Sequence, residues 1–118
     1  MVPREARLEE RRRFEKRHYQ RFKLDVEIQV NSRTAGHLTG HSLEISERGM
    51  SAILVIEVPV GEVIQLEFKL PKGRMKLLAF VRNRTAFRYG FEFVRPNAAE
   101  ETLRSACALL PRSDAVDI

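Results

Sequence analysis

Two short polar segments carry the side chains best suited to hold a ligand. The first is Arg17-His18-Tyr19-Gln20-Arg21, with two arginines four residues apart. The second is Glu44-Ile45-Ser46-Glu47-Arg48-Gly49. Arginine presents a planar fork of donors that pairs bidentately with a phosphate or with the O6/N7 edge of guanine. A carboxylate such as Glu44 accepts from donor edges, guanine N1–H and N2–H₂ among them, and the Ser46 hydroxyl can donate or accept. Each segment also has a plainer reading. The arginines can form a solvated basic stretch, and Ser46 can bond the backbone of its own turn.

The remaining chemistry-bearing residues offer less. His37 and His41 share a strand face but lack a third ligand at metal-binding spacing, so they read as surface residues and no metal is expected. Ser46 has no nucleophile-elbow context and no implied His/Asp partner. Cys107, the single cysteine, excludes an intrachain disulfide and reads as a core residue on a helix face. No constellation supports an enzyme, and no cofactor is implied.

The charge is unevenly placed. Residues 1–23 hold nine Lys and Arg against four Glu, which accounts for the whole net charge of +5; the other 95 residues balance. A basic arm of this kind attracts anions. Its four glutamates and its lack of interleaved aromatics argue against nucleic acid as the partner. With 43% hydrophobic and 31% charged residues, the 118-residue chain reads as a folded domain with one modest core. No apolar run approaches the roughly 20 residues of a membrane span. The charged start does not resemble a secretory signal, and the expectation is a cytoplasmic protein.

The elements that must position the two segments follow from periodicity. Residues 1–16 read as a basic, partly helical arm. From Phe22 to Val30 apolar and polar residues alternate, the mark of a half-buried strand. Asn31 to Gly36 is a turn by composition, and His37 to Ile45 is a second, more polar strand. Gly49 is expected to supply a backbone conformation that a Cβ disfavours. Met50 to Val58 is an apolar run expected as a buried strand. Ile64 to Leu70, Met75 to Arg82, and Phe87 to Phe93 complete six strands, with turns at Pro59–Glu62, Pro71–Gly73 and Asn83–Ala86. Gly90 predicts a bulge or a close backbone approach, and the aromatic stripe Phe87/Tyr89/Phe91/Phe93 is expected in the core. Asn97 to Glu100 predicts a capping box for a helix that places Ala99, Leu103, Ala106, Cys107 and Leu110 on one face. The expected architecture is mainly β: a six-stranded antiparallel β-barrel with a C-terminal α-helix and a basic N-terminal arm.

The two polar segments, in this order and on this strand pattern, resemble the PilZ domain family. RxxxR precedes the first strand, [D/N]xSxxG ends the second, and an apolar strand follows. Gly61 before an alternating strand, Leu70-Pro71-Lys72-Gly73, and Tyr89-Gly90-Phe91-Glu92-Phe93 also match the family's habit. The resemblance covers roughly residues 17–110. It divides the chain into an arm at 1–16, a barrel domain with its helix at 17–111 and a tail at 112–118.

The resemblance implies a receptor for cyclic di-GMP, a bacterial second messenger, with an arginine loop wrapping the ligand against the barrel. Carried over by position, Arg17 and Arg21 match the first motif, and Ser46 and Gly49 the second. Glu44 stands where the family has Asp or Asn. Arg13 and Arg17 also form an RxxxR; Arg21 running straight into the strand favours Arg17/Arg21, with Arg13 as an additional phosphate contact. A downstream protein partner is implied but not identified. The alternative is a protein-interaction module of the same fold that does not bind the nucleotide.

Overall fold

The computed structural model describes residues 19–113. The arm at 1–16 and two of the expected ligand contacts, Arg13 and Arg17, lie outside the described residues. Seven strands and one helix follow in order: β1 Phe22–Lys23, β2 Glu27–Ser32, β3 Gly36–Ile45, β4 Gly49–Ile53, β5 Val63–Leu70, β6 Gly73–Thr85, β7 Arg88–Phe93 and α1 Glu100–Cys107. The pairing runs β3-β2-β5-β6-β7-β4, and β4 pairs again with β3. Six antiparallel strands therefore close into a barrel, which leaves no free edge among them. Strand β1 lies outside this ring, paired with the end of β3.

Alternation along each strand sends one set of side chains inward. Ile28 and Val30, Ile64 through Leu70, Met75 through Val81, and Tyr89, Phe91 and Phe93 fill the interior. Leu103, Ala106 and Cys107 join the same core from α1. Burial pushes the Cys107 thiol up to about 11, with Glu47 adding to the effect, so it stays protonated in the core.

Five local expectations are corrected. The alternating run from Phe22 is one strand in pattern but two in hydrogen bonding. The Ser42 hydroxyl accepts from the Val26 amide at 2.9 Å and donates to the Leu24 carbonyl at 2.5 Å. These bonds interrupt the ladder between β1 and β2, opposite a register shift in β3 between Ser42 and Glu44. The apolar run after Gly49 remains a strand only to Ile53. There the neighbour on one side runs out: Ile53 pairs with Arg88, the first residue of β7, whereas on the other side β3 continues past His41 to Gly36. Past the end of β4, Leu54 and Val58 are buried, while Val55 and Ile56 are 75% and 51% exposed.

Strand β6 runs three residues further than expected. Asn83, Arg84 and Thr85 pair with Gly90, Tyr89 and Arg88, and the turn is Ala86-Phe87, with Ala86 at φ 56°. Phe87 sits at that tip, 57% exposed rather than in the core. The helix starts at Glu100, and the capping box is only partly made. Asn97 accepts from the Ala99 amide at 2.9 Å, while the Glu100 carboxylate pairs with Arg95 at 3.1 Å. The chain then returns to β1. Lys23 donates to the Pro111 carbonyl, Ser113 donates to the Arg21 carbonyl, and Arg112 bridges Phe22.

Candidate functional site

The register of β1 on β3 decides where the two polar segments meet. Phe22 pairs with Ile45 and Lys23 with Glu44. Arg21, one residue before Phe22, therefore lies beside Ser46. Arg21, Glu44, Ser46 and Gly49 line one groove of about 700 Å³ on the outside of the barrel. Its floor continues across β4, β7 and β6.

Ser46 is held by its own turn. Its oxygen accepts from the Arg48 amide at 3.1 Å and the Gly49 amide at 3.2 Å, and the Ser46 amide donates to the Gly49 carbonyl at 2.8 Å. The hydroxyl hydrogen is what Ser46 has left to offer a ligand. Gly49 does not have the left-handed backbone expected of it. The reason for glycine is close approach: a Cβ there would lie 2.2 Å from the Phe91 carbonyl oxygen. The β3–β4 turn is pinned from both sides. Phe93 donates to the Arg48 carbonyl at 2.8 Å, and Arg104 of α1 reaches Glu47 at 3.1 Å. A ligand therefore meets a rim that is already formed.

Glu44 is half-buried and faces Arg88 across β4 at 3.7 Å, a loose ion pair. The Arg48 guanidinium stacks on the Tyr19 ring, 4.2 Å from its centre. Arg82 pairs with Glu92 at 2.7 Å. Among the described residues, Arg21, Arg48, Arg82 and Arg88 line the groove against two carboxylates, Glu44 and Glu92. That excess of cations on a concave surface favours an anionic ligand. The Arg21 side chain is exposed at the entrance.

The structure thus brings together four of the six candidate residues; the other two, Arg13 and Arg17, are those outside the described residues. It keeps the histidines apart from the groove and from each other in use: His37 bonds Asn31 and His41 bonds Asp25. Among the described residues no three His, Cys, Asp or Glu gather as a metal site. Sequence reasoning missed the far wall, formed by Ser51, Arg82, Asn83, Arg88 and Gly90. Ser51, Arg82, Arg88 and Gly90 are outward positions of their strands by alternation, whereas Asn83 faces out because the bulge after Val81 breaks the alternation, and only the register between β4, β7 and β6 reveals that they share a surface.

Residues 11–109 match the PilZ domain. The chain belongs to the PilZ domain family. Solved PilZ structures share its fold. The PilZ domain of YcgR from Escherichia coli, solved with c-di-GMP, superposes with a TM-score of 0.64 at 18% identity, over 80% of this chain and 91% of that one. The inhibitor of motility MotI/DgrA of Bacillus subtilis gives 0.66 at 19% identity; 77% of this chain covers 49% of it, so this PilZ chain spans about half of that protein. The PilZ domain of CeSA from a cellulose-synthesizing bacterium gives 0.59 at 16% identity, over 76% and 93%. No curated protein matches the chain by sequence. At these identities the likeness to solved structures concerns the fold, and the site rests on this PilZ domain's own residues. Among the described residues no helix is long and apolar enough to cross a membrane.

Proposed function

We propose that this PilZ domain is a non-enzymatic receptor that binds cyclic di-GMP in the groove between β1 and the β3–β4 turn. The observation that carries the reading is the β1–β3 register, which sets Arg21 beside Glu44, Ser46 and Gly49. Arg21 and Arg17 act from the N-terminal side as charge-assisted donors to phosphate and to a guanine edge. Arg13 adds a phosphate contact. Glu44 accepts from the guanine N1–H and N2–H₂, and Ser46 donates its remaining hydrogen. Ligand binding draws the basic arm against the barrel, a population shift that a downstream protein partner reads.

Isothermal titration of the full chain with cyclic di-GMP tests this. Micromolar binding that is lost in Arg21→Ala is the expected result. The absence of heat at micromolar ligand would sink the reading in favour of a protein-interaction module. Glu44→Asp makes a second test. The shorter carboxylate cannot keep even the loose contact to Arg88 without moving, so it is freer to meet the guanine edge. Severalfold tighter binding in Glu44→Asp is expected, and weaker binding would show that the longer side chain is the better fit in this groove.

A further inference from the structure

The groove has a second polar wall that the two sequence motifs do not contain. Cross-strand pairing sets four residues in one line over four strands. Glu44 of β3 pairs with Ser51 of β4, Ser51 with Gly90 of β7, and Gly90 with Asn83 of β6. Adjacent strands are about 4.8 Å apart, so the line from Glu44 to Asn83 spans roughly 14 Å. Its two middle positions are a serine and a glycine, which leave a low floor between two longer polar side chains.

Two features of the fold place the Asn83 amide over that floor. The register of β6 on β7 shifts between Val81 and Asn83, a bulge that re-aims the side chains beside it. Opposite the bulge stands Gly90. A Cβ there would lie 2.6 Å from Asn83 Oδ1 and 2.9 Å from Nδ2, so the amide occupies room that any other residue would fill. Both features weaken a strand, yet together they serve one side chain. Among the described residues that amide makes no hydrogen bond. In the same row the Ser51 Oγ is buried with no partner. An unpartnered amide and an unpartnered hydroxyl beside a carboxylate suit a flat ligand with polar edges.

We propose that Asn83 is a base-reading residue of the groove, holding a purine edge from the side opposite Glu44. The proposal rests on the cyclic di-GMP reading above. With Glu44 accepting from the N1–H and N2–H₂ of guanine, the O6/N7 edge faces away from β3, and Asn83 Nδ2–H donates to it. A donor is required there, because guanine offers two acceptors on that edge. Adenine offers an amino donor at N6 beside the N7 acceptor, so a carboxylate at position 83 would suit adenine better than guanine.

Titration of the wild type, Asn83→Ala and Asn83→Asp with cyclic di-GMP and with cyclic di-AMP tests the assignment. Asn83→Ala should weaken cyclic di-GMP binding about tenfold, the worth of one hydrogen bond to a base edge. Asn83→Asp should weaken it more and lower the ratio of cyclic di-GMP to cyclic di-AMP affinity. Both variants should melt at the wild-type temperature, since the side chain is exposed. Wild-type affinity in both variants, with binding still lost in Arg21→Ala, overturns the role of Asn83 and leaves the proposed function standing. An unchanged ratio in Asn83→Asp, or an affinity loss that tracks a loss of stability, also overturns it. A wild type that binds neither nucleotide overturns the proposed function and this inference together.

Discussion

The barrel carries two clusters of small polar side chains around a carboxylate, and they differ in how fully they are bonded. At the β2–β3 turn, Glu62 accepts from the Ser32 hydroxyl, from the Thr34 hydroxyl at 2.5 Å and from the Thr34 amide at 3.3 Å. Ser32 in turn accepts from the Ala35 amide at 2.9 Å. These bonds, the Ser32 hydroxyl first, hold the Glu62 carboxyl below the usual carboxylate range. Each donor has its acceptor, and the cluster ties the turn to the start of β5. In the groove, Glu44 has one loose partner, while Ser51 and Asn83 have none among the described residues. The residue types are similar. The first cluster is complete within the fold, whereas the second leaves donors and acceptors for something else. Saturation of partners, more than residue type, separates a structural polar cluster from a binding one.

This contrast predicts that damage to each cluster appears in a different measurement. The largest effect belongs to the groove. Arg21→Ala should lose a hundredfold or more in cyclic di-GMP affinity, roughly 3 kcal/mol for a charged donor to the ligand. Its melting temperature should not move, because the side chain is exposed and, among the described residues, Arg21 is bonded through its carbonyl, by Ser113 and Gln20. A lower melting temperature would blur the distinction.

Glu62→Gln should do the reverse. Stability should fall by about 1 kcal/mol, because charge-assisted bonds become neutral near solvent, while nucleotide affinity stays within twofold. The pH dependence follows from the sign of the shift. Glu62 has a folded pKa below its ordinary value of 4.5. The charged form is therefore favoured by folding, and its stabilisation is present above pH 4.5. It is lost as pH falls through the folded pKa. The wild-type advantage over Glu62→Gln in urea melts should be full at pH 7 and shrink below pH 4.5. An advantage that is constant with pH would assign the effect to packing.

The barrel and the near rim of the site were legible because they depend on local pattern. Alternation marks β2, β5 and β7, and RxxxR with ExSxxG marks the two sides of one strand pair. Pairing between neighbours in sequence then made Arg21 and Ser46 meet. The rest depends on long-range register, which alternation does not encode. Asn83 looks like a turn residue by composition, yet it lies within β6 beside a bulge. Met50–Val58 looks like one strand, yet β4 ends at Ile53, opposite the first residue of β7. Gly49 looks like a backbone requirement, whereas the constraint is the Phe91 carbonyl on β7, far along the chain.

Ser51 gives the smallest and sharpest test, because the predicted change has the opposite sign. Its hydroxyl is buried without a partner among the described residues, on the strand that the Glu44–Arg88 pair spans. A buried donor that makes no bond costs the fold its desolvation, of order 1 kcal/mol in mutational data. Removing the hydroxyl leaves a methyl that fits the same space. Ser51→Ala should therefore raise stability by about 0.5–1 kcal/mol in urea unfolding. If the hydroxyl waits for a ligand, the same variant should bind cyclic di-GMP severalfold more weakly, so the two readouts move apart. In the bonded cluster the equivalent change, Ser32→Ala, removes a donor that Glu62 uses and an acceptor that Ala35 uses, and stability should fall. A Ser51→Ala variant that loses stability would mean that its hydroxyl is already engaged in the folded protein. The difference between the two clusters would then disappear at this position.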